Sequence, residues 1–529
     1  MTDQPCGMQR SRMPAHACVL AFFCFLRVSS PITADDKLSP QIREVIDAPR
    51  FQHALWGILV ADRRTGEAIY ELNADKLFRP ASTTKLYSVA AALDALGKDY
   101  CFETPVYRRG TVDAKGTLDG DLILVASGDL TLGGRTTPKN EIEFTKGDHT
   151  YANPTGEAAL TAGDPLAGLN RLAQQVAAAG IRRVSGQIVI DARLFDAASG
   201  TGSGPAQLTP IVVNDNVIDI TITPTKQGLP AKIDWRPRSA SVAIDAQVET
   251  IAAGGETKID CHAVGEDRLV VRGRIAADRP RFVYVQEVAD PARWARSLFI
   301  GALERAGVVV SASAYEPNPV GVLPKAGDTT GLVRVAVLKS PPFAENARLI
   351  LKVSHNLHAS TLPLLIAARH NKRRLEDGLH LQHDFLKRAG LDVDSISFGG
   401  GAGGAPADHT SPRVTVALLR HMATRPDFAV YERALPILGV DGTIANDVPA
   451  SSPARGKVRA KSGTLFWENS MNDKFLVTSK ALAGYLTAKS GRELEFSFVV
   501  NNAAIDKAAQ TKDIGKTLGH LCEVVQQAQ

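Results

Sequence analysis

Apolar and polar positions alternate first at residues 56–60 and 67–72, either side of Arg63-Arg64-Thr65-Gly66. That pattern predicts two strands joined by a hairpin turn, with glycine where positive φ is needed. The period then changes. Leu86, Val89, Ala90 and Leu93 fall on one helical face, and Gly97 supplies a stop. Short strands return from residue 102, with a clear alternation over 116–125 that runs into Ser127-Gly128-Asp129. A helix follows in which Asp164 caps, Pro165 takes the first position, and Leu169, Leu172, Ala173 and Val176 form the buried stripe up to Gly180. After a strand at 186–191, residues 213–223, 240–251, 269–275 and 281–287 read as strands. Asp290-Pro291 then opens a second helix with the same punctuation, through Trp294, Leu298 and Leu303 to Gly307. Helical periodicity resumes over 345–368 and 379–389, the latter ended by Gly390. Strands are expected at 458–465, and at 483–487 and 494–500 around Ser490-Gly491, before a last helix at 505–526. Two stretches break the pattern. Residues 133–157 are polar and read as a mobile loop or poorly ordered insertion, and Ala198-Ser199-Gly200-Thr201-Gly202-Ser203-Gly204 reads as a flexible joint. The whole is a mixed α/β (α+β) chain whose N-terminal hairpin could complete the C-terminal sheet, leaving the middle as an insertion.

Length and composition sharpen this. A chain of 529 residues suggests about three domains. With 44% apolar and 22% charged residues it is globular, and a net charge of +5 with no basic run among aromatics argues against a nucleic-acid binder. Arg10 and Arg12 precede an apolar run from Ala17 to Leu26, too short to span a bilayer, and small residues lead to Ala34. Residues 1–34 are therefore expected to be an export signal. Cys6, Cys18 and Cys24 would leave with it; Cys101, Cys261 and Cys522 are too few and too scattered for a metal cluster. One disulfide with a free thiol, or three buried thiols, both remain open.

The chemistry starts at Ser82-x-x-Lys85, which places a hydroxyl and an amine one turn apart at a helix start. A chain this long holds roughly one or two such pairs by chance, so the pair alone decides nothing. Serine needs a base, and lysine serves only if burial or a second cation depresses its pKa. Downstream stand Ser354-x-Asn356, within a helical stretch, and Lys461-Ser462-Gly463 on a strand. Lys461 would supply the second cation and a site for a substrate carboxylate. The ordered trio resembles the one found in penicillin-binding proteins and their β-lactamase relatives, where the third member is Lys-Thr-Gly. The glycine-rich run 399–404 does not lead from a strand into a helix, so it is not read as a phosphate cradle.

With Leu351-Lys352-Val353-Ser354-His355-Asn356, Leu438-Gly439-Val440-Asp441-Gly442-Thr443, Ser127-Gly128-Asp129-Leu130-Thr131-Leu132 and Val213-Asn214-Asp215-Asn216, the chain resembles the exported D-Ala-D-Ala carboxypeptidase/endopeptidases of the class-C low-molecular-mass penicillin-binding proteins. The resemblance implies a β-lactamase/transpeptidase-like catalytic domain (35–104 and 329–529), with inserted domain II (105–132 and 206–328) and a nested domain III (133–205). It implies Ser82 as nucleophile, Lys85 as general base, Ser354 as proton relay and Asn356 as the orienting amide. Lys461 and Ser462 would hold the terminal carboxylate beside Gly463. The backbone N–H groups of Ser82 and Thr464 would form the oxyanion hole. It further implies no cofactor or metal, peptidoglycan stem peptides as substrate, β-lactams as covalent inhibitors, and a periplasmic, exported protein with room for peripheral membrane contact. The sequence departs from the family in His355, in Ser462 for threonine, in the segment after Phe195, and in Gly399-Gly400-Gly401-Ala402-Gly403-Gly404, where an acid, a serine and an arginine are missing. The last departure motivates a low-turnover scaffold as an alternative; a β-lactamase is the other.

Overall fold

In the computed structural model the described residues are 38–265 and 267–529, so the expected export signal at 1–34 lies outside them. The hairpin forms: β1 (Leu55–Asp62) pairs antiparallel with β2 (Ala68–Leu72), and Gly66 takes φ 78°. β1 is buried on both faces, which marks a central strand rather than the half-solvated one that alternation suggests. α1 (Thr84–Leu96) follows and ends at Gly97.

The chain then leaves on a long excursion. β3 (Glu103–Val112) and β4 (Thr117–Val125) form an antiparallel pair, and Ile188–Asp191 adds parallel to β4. α2 (Ala167–Ala178) and α3 (Pro291–Arg305) cover this sheet; the Asp290 carboxylate caps α3 by accepting the N–H groups of Ala292 and Arg293. β5 (Val333–Lys339) returns to pair with β3. Between these lie two three-stranded sheets, one built on Val217–Thr223 and one on Arg268–Ala276. Val106, Leu122, Leu172, Ile190, Ile220, Trp294, Leu303 and Leu338 share a single core.

β5, which lies past residue 329, thus pairs within the excursion's sheet, and from the 133–205 stretch Leu169, Leu172, Val184 and Ile188 share a core with the flanking segments. Residues 133–157 are not a loose loop. Arg135, Ile142, Asp148, His149 and Thr150 are all buried.

Past β5, α4 (Phe343–Val353) and α5 (Asn356–Arg369) replace the single helix predicted over 345–368; Ser354 breaks it with φ 63°. The chain closes with β6 (Val458–Asn469), β7 (Lys474–Thr487), β8 (Glu493–Asn501) and α6 (Thr511–Ala528). The sheet order β6-β7-β8-β1-β2 joins the two ends of the chain. Ile514, Leu518, Leu521 and Val525 of α6 pack on Ile58, Val60, Phe496 and Phe498, while α1, α4 and α5 form a helical block on the other side. Cys101, Cys261 and Cys522 are unpaired; Cys522 is buried, and the other two are half-buried.

Candidate active site

Ser82 sits in a tight 3₁₀ turn, Ala81–Thr83, that runs straight into α1. Ala81 carries φ 49°, an unfavourable value for alanine, and it is held there from two sides. A Cβ on Gly463 would come within 2.7 Å of Pro80 O and 3.0 Å of Ser82 N, and one on Gly403 within 1.9 Å of Ala81 O. Only glycine lets β6 and the glycine-rich loop close on the serine turn this tightly.

Lys85 is fully buried. Its Nζ lies 2.9 Å from Ser82 Oγ, 2.8 Å from Asn356 Oδ1 and 2.8 Å from Ala402 O. Two of those three neighbours can only accept. A neutral amine has two N–H bonds, so once both are given to Asn356 and Ala402 its lone pair faces the Ser82 hydroxyl. Burial, and then the Lys461 ammonium, push the Lys85 pKa well below that of an ordinary lysine; Asp408 pulls weakly the other way. Asn356 Nδ2 donates to Ser203 O at 3.3 Å, which fixes the amide orientation.

Lys461, also fully buried, donates to Ser354 Oγ at 2.9 Å and Ser462 O at 2.6 Å. Burial and the nearby Lys480 lower its pKa to about 7. Ser462 Oγ meets Thr443 Oγ1 at 2.7 Å in the open part of the cleft, and Lys480 donates to Thr464 Oγ1 at 2.9 Å. The three motifs thus meet in one cleft: Lys85 is hydrogen-bonded to Ser82 and Asn356, and Lys461 to Ser354, two residues before Asn356. Gly463 lies against the serine turn, and Ser462 and Thr464 face the other side of β6.

The model of the D-Ala-D-Ala carboxypeptidase 3 (S13) family matches residues 38–522. The chain belongs to that family. Among curated relatives, the S13 chain is 28% identical over 502 residues to a D-alanyl-D-alanine carboxypeptidase of Actinomadura sp. strain R39, covering 90% of this chain and 84% of that one. It is 23% identical to D-alanyl-D-alanine carboxypeptidase DacB of Haemophilus influenzae, covering 86% and 87%. The crystal structure of penicillin-binding protein 4 (dacB) from H. influenzae shares the fold: TM-score 0.68 at 19% identity, over 93% of this chain and 99% of that one. The same protein complexed with a β-lactam gives TM-score 0.65 at 20% identity, over 94% and 100%.

Several residues that serve the site in this S13 carboxypeptidase escape the sequence motifs. Ala402 and Gly401 act through backbone carbonyls, to Lys85 and to Ser88, and so leave no side-chain signature. Asp408 holds their loop, accepting the N–H groups of Gly399 and Ala405 at 2.8 Å each. The loop that lacks the family's acid, serine and arginine therefore still contributes a contact to Lys85.

Behind the second motif lies a buried ionic network. Arg135 bridges Asp148 (2.7 Å) and Asp215 (2.6 Å), and His149 joins Asp215 (2.7 Å) to Asp219 (2.6 Å). His358 meets Asp215 at 2.6 Å and stacks on His355 at 3.8 Å between ring centroids. Tyr151 donates to Ser354 O at 2.6 Å. Burial opposes the charged form of His149, but Asp219 and Asp215 outweigh it and raise its pKa to about 10. Burial, with His355 beside it, lowers His358 to about 4. Asp215, His355 and His358, and likewise Asp148, His149 and Asp215, bring metal-type donors together, which the expectation of no metal cluster did not foresee. The carboxylates are already engaged: Asp148, Asp215 and Asp219 face Arg135, Arg236 and protonated His149, three charges against three. The signal for this network was in the sequence, as Asp148-His149 and as His355-x-x-His358, but the two pairs stand about 200 residues apart.

Proposed function

We propose that the chain is an exported serine DD-peptidase that removes the terminal D-Ala from peptidoglycan stem peptides, or cuts D-Ala cross-links, through an acyl-enzyme on Ser82. The observation that carries this is the buried Lys85 Nζ, 2.8 Å from each of two carbonyl oxygens and 2.9 Å from Ser82 Oγ, contacts that leave a neutral amine its lone pair for the serine hydroxyl.

Lys85 takes the Ser82 proton as Oγ attacks the carbonyl carbon of the penultimate D-Ala. The N–H groups of Ser82 and Thr464 receive the oxyanion; one such donor is worth about 3 kcal/mol of barrier. Ser354, fed by Lys461, passes a proton to the leaving amine as the C–N bond breaks. Lys461 and the Ser462 hydroxyl hold the terminal carboxylate. Water then attacks the ester and releases the shortened stem. β-Lactams enter the same route and stay attached to Ser82. Residues 1–34 direct the chain to the periplasm, and among the described residues no helix is long and apolar enough to cross a membrane.

Labelled penicillin tests the reading. Wild-type protein is expected to label stably and to release D-Ala from a pentapeptide, and Ser82→Ala to do neither. Labelling that persists in Ser82→Ala would move the nucleophile elsewhere.

A further inference from the structure

The strand that carries the third motif continues well past it. β6 runs to Asn469, and its outer edge pairs with no described strand; only Arg459 makes an outward bridge, to Ile437. An open edge of this kind can receive an extended peptide as an added strand. Its far end is apolar and bare: Phe466 is 42% exposed, Trp467 59%, and Met471 in the turn 89%.

Alternation places these side chains. The register irregularity opposite Leu465/Phe466 puts the extra residue on β7, so β6 keeps its period of two. Lys461 and Gly463 face the serine turn; Leu465 and Trp467 therefore share that face. Phe466 points to the other side, where it meets Phe475 at 6.1 Å between ring centroids. Trp467 is thus a large exposed ring on the catalytic face of the strand.

The two anchor points of the proposed reaction set a direction along it. The terminal carboxylate sits at Lys461 and Ser462, and the scissile carbonyl at the Thr464 N–H. The substrate, followed from its C-terminus, runs toward rising residue numbers, antiparallel to β6. Three stem residues lie between the penultimate D-Ala and the amino sugar. At roughly 3.3 Å per residue they span about 10 Å, which equals the run of β6 from Thr464 to Trp467.

We propose that Trp467 and the hairpin tip beyond it form a subsite for the amino-sugar end of the substrate, so that the enzyme prefers stem peptides still attached to glycan. The indole offers a broad, rigid apolar face with an N–H at its edge, suited to a sugar that shows C–H bonds on one face and hydroxyls around its rim. Binding energy gained there, remote from the reacting bond, can be used at the scissile carbonyl.

This rests on the serine-peptidase reading, and one set of assays separates the two. Wild type, Trp467→Ala and Trp467→Phe are assayed for D-Ala release from a diacylated tripeptide, a free pentapeptide and a disaccharide-pentapeptide, with penicillin acylation rate as the control for folding and chemistry. Trp467→Ala is expected to lower kcat/KM for the disaccharide-pentapeptide about tenfold. Both peptides and penicillin should stay within about twofold, and Trp467→Phe should restore most of the loss. An equal loss on all substrates, no loss on any, or a loss already full with the free pentapeptide would overturn the subsite. Failure of wild-type protein to react with penicillin would instead overturn the reading beneath it.

Discussion

In the proposed mechanism Lys85 serves as base because Lys461 is fixed near it, and Lys461 is itself a buried cation. Burial and Lys480 bring its pKa to about 7, while burial also lowers Lys480, with Asp447 opposing. A lysine whose pKa is lower folded than unfolded binds fewer protons in the native state. Between pH 7 and the ordinary lysine pKa, about 10.5, the unfolded chain therefore takes up the extra proton, and native stability climbs with pH across that window. Lys461→Met removes the titration along with the catalytic cation. The variant is expected to lose penicillin labelling, and wild-type protein to gain thermal stability relative to it between pH 7 and 9. Parallel melting curves for the two proteins over that range would show that Lys461 is an ordinary, fully charged lysine.

At the scale of elements, the helix after Ser82, both hairpins and the Asp290-capped helix announce themselves by period and punctuation, since their apolar faces are what the core consumes; α2 keeps its apolar stripe but starts at Ala167, with no side-chain cap from Asp164. The helix break at Ser354 does not, because a serine in left-handed backbone has no distinctive composition; what holds it is Tyr151 on its carbonyl and Lys461 on its hydroxyl. Residues 133–157 misled for a related reason. Arg135, Asp148 and His149 look like a solvated surface in one dimension, and only the fold shows that they neutralise one another. The glycine-rich loop is the third case, since its contribution is a carbonyl. Gly403 is at φ 90° with Ala81 O where a Cβ would go, whereas Gly400 has open space around its missing side chain. Gly403→Ala should push the loop off the serine turn, draw Ala402 O from Lys85, and slow penicillin acylation at least about tenfold. Gly400→Ala should acylate as wild type does. Similar rates for the two variants would remove the loop from the site.

Over the whole molecule, the excursion from Glu103 to Lys339 is more than a passenger on the catalytic sheet. Leu130, Phe195, Leu208 and Val212 pack into the helical block, Ser203 O holds Asn356, and the buried network ties Arg135, Asp148, His149 and Asp215 to the histidines around the second motif. Arg135 is its keystone, since its guanidinium faces two buried carboxylates at once. Removing one partner of a buried ion pair typically costs about 3–5 kcal/mol, because the charge left behind is uncompensated. Arg135→Met is therefore expected to lower stability by about that amount and to slow penicillin acylation, although the substitution lies outside all three motifs. Native-state hydrogen exchange locates the effect. Protection should fall together in the 148–151 segment and at 354–358, since Tyr151 and Asp215 join them across the two parts of the chain. Lys for Arg keeps the charge but not the fork that reaches both carboxylates, so Arg135→Lys should recover stability only in part. If exchange rose in the 148–151 segment alone while acylation stayed at the wild-type rate, the excursion would be structurally attached to the catalytic centre without supporting it.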